Sequence, residues 1–294
     1  MIRNLFFFLS CTVIIGACST SENPGDNIKT LSDEIKIEQP TSNLVCLNHS
    51  LLVLDSTTYH AVVNSEFLGH FAFSYEKQLT GYHGFYLIGK TNYLEMFNAT
   101  SFDGEELENG AAWIFLASLK ANYLEKLNKE NLDITEFNYE DDYYFLSPMM
   151  KDTISQLTTW EIGKDRFESW TKKEYNDSMT FLPVDYNSPQ ESDSSANYLM
   201  NDVNGIGLSL HPDDSLTVTN YLNVIGYDSV SEVKGHTRLS SNNQFIELHI
   251  SNDNKWLSIN RYYIQLNKSV ERSTEVIGNS RIECDGKSAI WIFD

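Results

Sequence analysis

Leu47-Asn48-His49-Ser50-Leu51-Leu52-Val53-Leu54, followed by Asp55-Ser56-Thr57, is the stretch that sets the reading of the fold. Its first eight residues are apolar enough for a buried strand. Asp55-Ser56-Thr57 is a helix start, because a short oxygen-bearing side chain can accept from the first free N–H groups. Tyr59, Val62, Val63 and Phe67 follow at i, i+3, i+4 and i+8, one apolar helical face that Gly69 closes. Residues 71–79, 84–88 and 93–97 then read as strands, with Gly81 and Gly89 at the breaks. The order is β-α-β-β-β.

That order recurs. Residues 112–117 read as a strand and Ser118 as a cap. Leu116, Leu119, Tyr123, Leu124 and Leu127 then keep helical spacing, and strands follow near 143–146 and 157–162. A third unit opens at 203–210. Asp213-Asp214-Ser215 starts a helix carrying Val218, Tyr221, Leu222 and Ile225, Gly226 ends it, and the unit closes on a strand at 244–250. A fourth, truncated unit begins at 262–266, passes through a short helix around 270–277 to Gly278, and ends at 288–293. Gly205 stands 156 positions after His49, and Glu247 stands 152 after Glu95. Offsets that close point to duplication. The expected organisation is a first unit pair over 44–188, a linker over 189–202, and a second, shorter pair over 203–294 packing on the first.

Composition narrows the partners. The 294 residues carry 41 Asp and Glu against 21 Lys and Arg, a net charge of −20. Nucleic-acid binding needs clustered basic groups and is excluded as a partner class. Docking on an anionic lipid surface is excluded for the same reason. Sixteen Phe, sixteen Tyr and five Trp provide for a sizeable core.

The N-terminus reads as an address. Arg3 precedes an apolar run at residues 5–17, too short for a bilayer span of roughly 20 residues, so it reads as a signal peptide. Ile15-Gly16-Ala17-Cys18 resembles the bacterial lipobox. That resemblance implies cleavage after residue 17 and acylation of Cys18 with palmitate-type chains, anchoring the protein in the bilayer. Residues 18–43, rich in Ser, Thr, Asn and acids with Pro24, Gly25 and Pro40, read as a flexible tether. Ser19 puts no acid after the lipidated cysteine, so the expected location is the outer membrane of a bacterial envelope.

The repeated units, the opening Leu47-Asn48-His49, and Thr91-Asn92-Tyr93-Leu94-Glu95-Met96-Phe97 resemble the glyoxalase-like branch of the vicinal oxygen chelate (VOC) superfamily. Phe181-Leu182-Pro183-Val184-Asp185-Tyr186 is similar to a segment that separates modules in that branch. The resemblance spans about 44–293. It implies an α+β fold in which βαβββ modules form curved mixed sheets around a cleft, with function inside the cleft. In metal-using relatives each module offers a ligand from its first strand and a Glu from its last. His49 and Glu95 hold those positions here. A divalent metal there would be a Lewis acid with positions open to substrate oxygens. Strand alternation puts His49, Leu51 and Val53 on one face. His83 is a candidate third ligand or supporting partner.

The remaining positions are poorer. The third unit has Gly205 in place of His49, the fourth has Arg261, and the second offers Trp113. Glu247 and Glu161 keep the acidic position. Tyr93, Trp113, Glu161 and Glu247 are therefore cleft candidates, with Tyr93 and Trp113 equally suited to a core. Cys46 and Cys284 could form a disulfide in an oxidising envelope, or be buried thiols. No phosphate loop, dinucleotide fingerprint or Gly-x-Ser-x-Gly elbow is present. Two functions follow. One is a cleft that binds a small ligand or a partner without catalysis. The other is a lyase- or dioxygenase-like metalloenzyme built on His49 and Glu95.

Overall fold

A computed structural model describes residues 44–102, 106–127, 134–139, 143–148, 156–187, 194–233, 236–253 and 257–293. The signal peptide, Cys18, the tether and linker residues 189–193 lie outside the described residues.

Strand β1 (Val45–Leu54) is buried along its whole length, because it runs down the middle of a sheet. Helix α1 (Ser56–Val63) follows directly. Asp55 caps it, Oδ1 accepting from the backbone of Thr57 at 3.0 Å and Thr58 at 3.1 Å. Ser65 starts a second short helix, α2 (Glu66–Phe71), where the sequence pattern suggested one continuous helix. Strands β2 (Phe73–Leu79), β3 (Tyr82–Ile88) and β4 (Tyr93–Asn98) complete the first β-α-β-β-β run.

The second run is β5 (Ala112–Ser118), α3 (Tyr123–Lys126), β6 (Ile134–Tyr139), β7 (Tyr143–Pro148) and β8 (Leu157–Ile162). Its helix is a single turn and not the longer one the apolar spacing suggests. Asn122 at φ 57° breaks the helical path, leaving Leu119 outside the helix, in the bend that follows β5. Helix α4 (Lys164–Thr171) and a 3-10 turn (Pro183–Tyr186) follow. The third run is β9 (Met200–Leu210), α5 (Pro212–Val224), β10 (Asp228–Val233), β11 (His236–Ser241) and β12 (Gln244–Ile250).

The fourth segment departs from expectation. The short helix expected at 270–277 does not form. Residues 258–277 are one long strand, β13 (Ser258–Ile277), which turns back into β14 (Ser280–Phe293). Ile277 pairs with Ser280 across a two-residue turn, with Gly278 at φ +60° in its first central position. That is the place where a tight hairpin favours glycine. Val270, Thr274, Val276 and Ile277 are β-branched, and the partner strand 280–293 gives them a ladder that a local pattern cannot reveal.

The result is a mixed α+β fold with two mixed sheets. The first has the order β2-β3-β4-β1-β5-β8-β7-β6, and the second β10-β11-β12-β9-β13-β14. In each of the three runs the first strand pairs in parallel with the last: β1 with β4, β5 with β8, and β9 with β12. One apolar cluster joins the sheets, including Leu52, Met96 and Ile114 from the first and Ile206, Tyr262 and Trp291 from the second. Ser50 Oγ meets Tyr262 Oη at 2.9 Å across this boundary. Tyr221 of α5 reaches the other sheet, donating to the Leu146 carbonyl at 2.7 Å and accepting from Thr159 N at 3.0 Å. Among the described residues no helix is long and apolar enough to cross a membrane.

Candidate functional site

His49 is aimed by a bulge. Leu47 pairs with Leu116 and His49 with Phe115, so Asn48 is the extra residue on β1. From there the strand alternates, and His49 and Leu51 share one face, while Leu52 and Leu54 enter the core between the sheets. The cross-strand registers build two rows on that face. Tyr93, His49, Phe115 and Thr158 form one row, and Glu95, Leu51 and Trp113 the other. The His49 ring is stacked between Tyr93, at 4.7 Å, and Phe115, at 4.2 Å. Trp160 meets it edge-on at 6.1 Å.

The bulge residue also sets the tautomer. His49 Nδ1 lies 2.7 Å from Asn48 Oδ1, while the Asn48 amide nitrogen donates to Asn187 Oδ1 at 3.4 Å. An amide oxygen only accepts, so Nδ1 carries the hydrogen and Nε2 keeps a lone pair. Nε2 points toward Glu95, with Oε1 at 3.9 Å. That is too long for a hydrogen bond, and Nε2 has no hydrogen-bond partner among the described residues. His49 is 5% exposed and Glu95 6%. Burial pushes the His49 pKa down to about 3 and the Glu95 pKa up to about 8. Tyr82 donates to Glu95 Oε2 at 3.5 Å. At neutral pH the pair is a neutral imidazole beside a protonated acid.

Two further polar atoms on this face lack partners. The indole N–H groups of Trp113 and Trp160 are buried and unmatched among the described residues. One acceptor and two donors are thus left unmatched on a single aromatic face, where each unmet group costs about 1–3 kcal/mol.

Three sequence candidates fall elsewhere. His83 does not join His49 and Glu95. Tyr82 and His83 are neighbours on β3, so they point to opposite faces, and Tyr82 takes the Glu95 side. His83 turns toward α1 and pairs with Glu76 at 2.8 Å. Glu161 also lies off the face. On β8 it is Thr158 and Trp160 that line up with Phe115 and Ala117 of β5, so Glu161 points to the other side. There it accepts from the backbone N–H groups of Asn122, Tyr123 and Leu124 at the start of α3. Glu247 belongs to the second sheet. Arg238 donates to it at 2.7 Å, Tyr263 at 3.2 Å, and His249 Nε2 lies 3.2 Å away. Hydrogen bonding and charge from Arg238 hold its pKa below the usual carboxylate range against the opposing effect of burial.

Cys46 and Cys284 are free thiols. They do not pair, since Cys46 is buried in a cluster with Phe167, Phe181 and Tyr186 while Cys284 is buried in the core that joins the sheets. Tyr82 and Asn48 are the site residues that pattern reading missed. Asn48 sits beside His49 in the sequence, and only the bulge gives it its role.

The match to a known family runs over residues 47–293, from the strand that carries His49 to the end of β14. The chain belongs to the family of unknown function DUF5829. No curated protein matches it. Among solved structures, this DUF5829 member is similar to a hypothetical protein from Staphylococcus aureus. That similarity has a TM-score of 0.48 and 14% identity, over 81% of this chain and 97% of that one. It is also similar to a halotolerant catechol dioxygenase (TM-score 0.41, 11% identity, 86% of this chain and 89% of that one). A xylose isomerase-like TIM barrel/4-hydroxyphenylpyruvate dioxygenase fusion protein aligns with a TM-score of 0.45 and 10% identity, over 76% of this chain and 37% of that one.

The metal expected at His49 and Glu95 can be tested against the donors of this DUF5829 chain. Their chemistry suits a divalent ion. Nε2 offers a lone pair, and two ligands at about 2.0–2.2 Å from one metal can stand 3.9 Å apart. Their number does not suit it. Among the described residues no group of three His, Cys, Asp or Glu could hold a metal ion, and open catalytic centres use three protein ligands. Burial also favours the protonated acid over the carboxylate that a metal needs. The pair falls one ligand short of a metal centre.

Proposed function

We propose that this protein binds a small, uncharged, aromatic-sized ligand on the His49 face of its first sheet, without catalysis, as a glyoxalase-like module of the VOC type. The observation that carries the reading is the set of unmatched buried atoms on that face: His49 Nε2, Trp113 Nε1 and Trp160 Nε1. In this reading His49 accepts a hydrogen bond, the two indoles donate, and the Glu95 acid donates or accepts. The rings of Tyr93 and Phe115 fix the imidazole, and Asn48 fixes its tautomer. An uncharged pair suits an uncharged ligand, since an ion would have to shed its water for no opposite charge. The three strand runs, each with its first strand paired in parallel to its last, support the VOC reading of the modules.

Indole N–H resonances give the test. Trp113 and Trp160 are assigned by single Trp→Phe variants. A fragment set of uncharged aromatic alcohols and aldehydes is then titrated into the chain. At least one fragment should move both resonances, and His49→Ala should weaken that fragment about tenfold, the loss of one good hydrogen bond. If no fragment moves either indole, the reading fails. The free Nε2 lone pair aimed at Glu95 favours a second reading, a lyase- or dioxygenase-like metalloenzyme. Stoichiometric metal in purified untagged protein, lost in both His49→Ala and Glu95→Ala, would establish it in place of the first.

The proposal extends to location. Residues 5–17 and Cys18 support a lipid-anchored protein of a bacterial envelope, held at the outer membrane on the tether of residues 18–43. Cys18→Ser should leave the signal uncleaved and abolish labelling by a palmitate analogue in cells. Equal labelling and processing of that variant would sink the anchor.

A further inference from the structure

We propose that a cavity on the face of the first sheet opposite His49 binds a neutral polyhydroxylated ligand the size of a single sugar ring. The cavity measures about 320 Å³ and lies where α1 covers β2 and β3. That is the small end of the range for ligand pockets, about 300–1,000 Å³. It is separate from the His49 face, because Glu76 and His83 that line it point the other way, toward α1.

The chemistry of the lining selects the class. Tyr59 is 3% exposed, and its hydroxyl has no hydrogen-bond partner among the described residues. Burial, helped by the charge of Glu76, pushes its pKa up to about 12, so it stays an O–H donor. A donor fixed beside a cavity without an acceptor is what a ligand oxygen would satisfy. His83 Nε2 lies 2.8 Å from Glu76 Oε2, so the one carboxylate in the lining is already engaged within the protein. The three-ligand group a metal would need is absent among the described residues, and a net charge of −20 opposes anions. The rest of the lining is hydroxyl, amide and imidazole from Asn98, Thr100, Ser101 and His60, together with Val63. Hydroxyl, amide and imidazole groups beside the Val63 side chain suit a sugar ring, whose hydroxyls lie at its edge and whose C–H groups lie on its faces.

The test is saturation-transfer NMR on the intact chain with D-glucose and D-galactose at millimolar concentration. At least one hexose should receive saturation at its ring protons. Tyr59→Phe and Glu76→Gln should each weaken binding about tenfold. Tyr59→Phe should also leave the thermal midpoint unchanged or raised, because the hydroxyl it removes has no protein partner. A lowered midpoint would mean that the hydroxyl is structural and would overturn the proposal. So would the absence of transfer to both sugars, or transfer unaffected by both variants. Glu76 is half-exposed on β2, so Glu76→Gln keeps the test valid without disturbing the core. None of these outcomes bears on ligand binding at His49.

Discussion

Replacing Glu95 with glutamine is expected to stabilise the protein by a few kcal/mol at pH 8 and by nothing measurable at pH 4. The reason is burial. The folded state raises the Glu95 pKa from the ordinary 4.5 to about 8. Below pH 4.5 the carboxyl is protonated in both states, and glutamine is a neutral match for it. Between pH 4.5 and 8 the unfolded chain releases its proton while the folded chain keeps it. Stability then falls as pH rises, by about 1.4 kcal/mol for each pH unit of displacement. Glutamine does not titrate and escapes that loss. His49 is the mirror case. Its pKa falls from 6.5 to about 3 in the folded state, so stability is lost as pH drops below 6.5, when the unfolded imidazole takes a proton that the buried one refuses. Between pH 4.5 and 6.5 the two effects cancel. The folded pair holds one proton on Glu95, and the unfolded pair holds one on His49. Urea midpoints of wild type and Glu95→Gln at pH 4, 6 and 8 check this. A gain that is equal at all three pH values, or a loss at pH 8, would show that Glu95 is not a buried acid.

How far this could be read from the sequence depends on the element. The strand–helix start at Leu47 to Thr57 was legible because the apolar run, the Asp55 cap and the helical spacing agree within a few residues of one another. The pairing of His49 with Glu95 came from the family resemblance, and the registers of β1 with β4 and β5 put both on one face. Parity puts Glu161 and His83 on the face opposite His49. A period of two makes a shift of one residue a change of face, and nothing local shows that Trp160 and Tyr82 take the His49 face. Strands β10 and β11 gave little signal, since 228–233 is Asp-Ser-Val-Ser-Glu-Val. They form because β12 offers β11 a ladder and β11 in turn offers one to β10, a tertiary effect that outweighs propensity. The Asn242-Asn243 pair was the available clue. Both adopt positive φ, 48° and 63°, in the turn from β11 to β12, where tight hairpins favour asparagine.

The largest misreading, the helix expected before Gly278, supplies the second prediction: Gly278→Ala should cost more than about 3 kcal/mol, far more than Gly286→Ala on the same hairpin. Both glycines have left-handed backbone, φ +60° and +58°. An alanine Cβ strains either one by roughly 1 kcal/mol or a little more. Their surroundings differ. At Gly286 an added Cβ meets nothing within 4 Å, whereas at Gly278 it would lie 2.5 Å from the Thr58 Cα, which is backbone and cannot swing aside. To relieve that overlap the hairpin tip must lift off α1. It would then give up the bond from Asn279 N to Thr58 Oγ1 at 3.0 Å and the one from Asn279 Nδ2 to Asp55 Oδ2 at 3.3 Å. Behind the tip, Ser280 Oγ donates to the Ile277 carbonyl at 2.7 Å and accepts from Trp291 Nε1 at 3.0 Å. Movement therefore disturbs a fully buried tryptophan of the core that joins the sheets. Where a fourth β-α-β-β-β run would have continued, the chain instead sends one long hairpin from the second sheet to the first helix, and the glycine allows that contact. Paired chemical denaturation of Gly278→Ala and Gly286→Ala measures it. Equal losses would mean that the tip does not rest on α1.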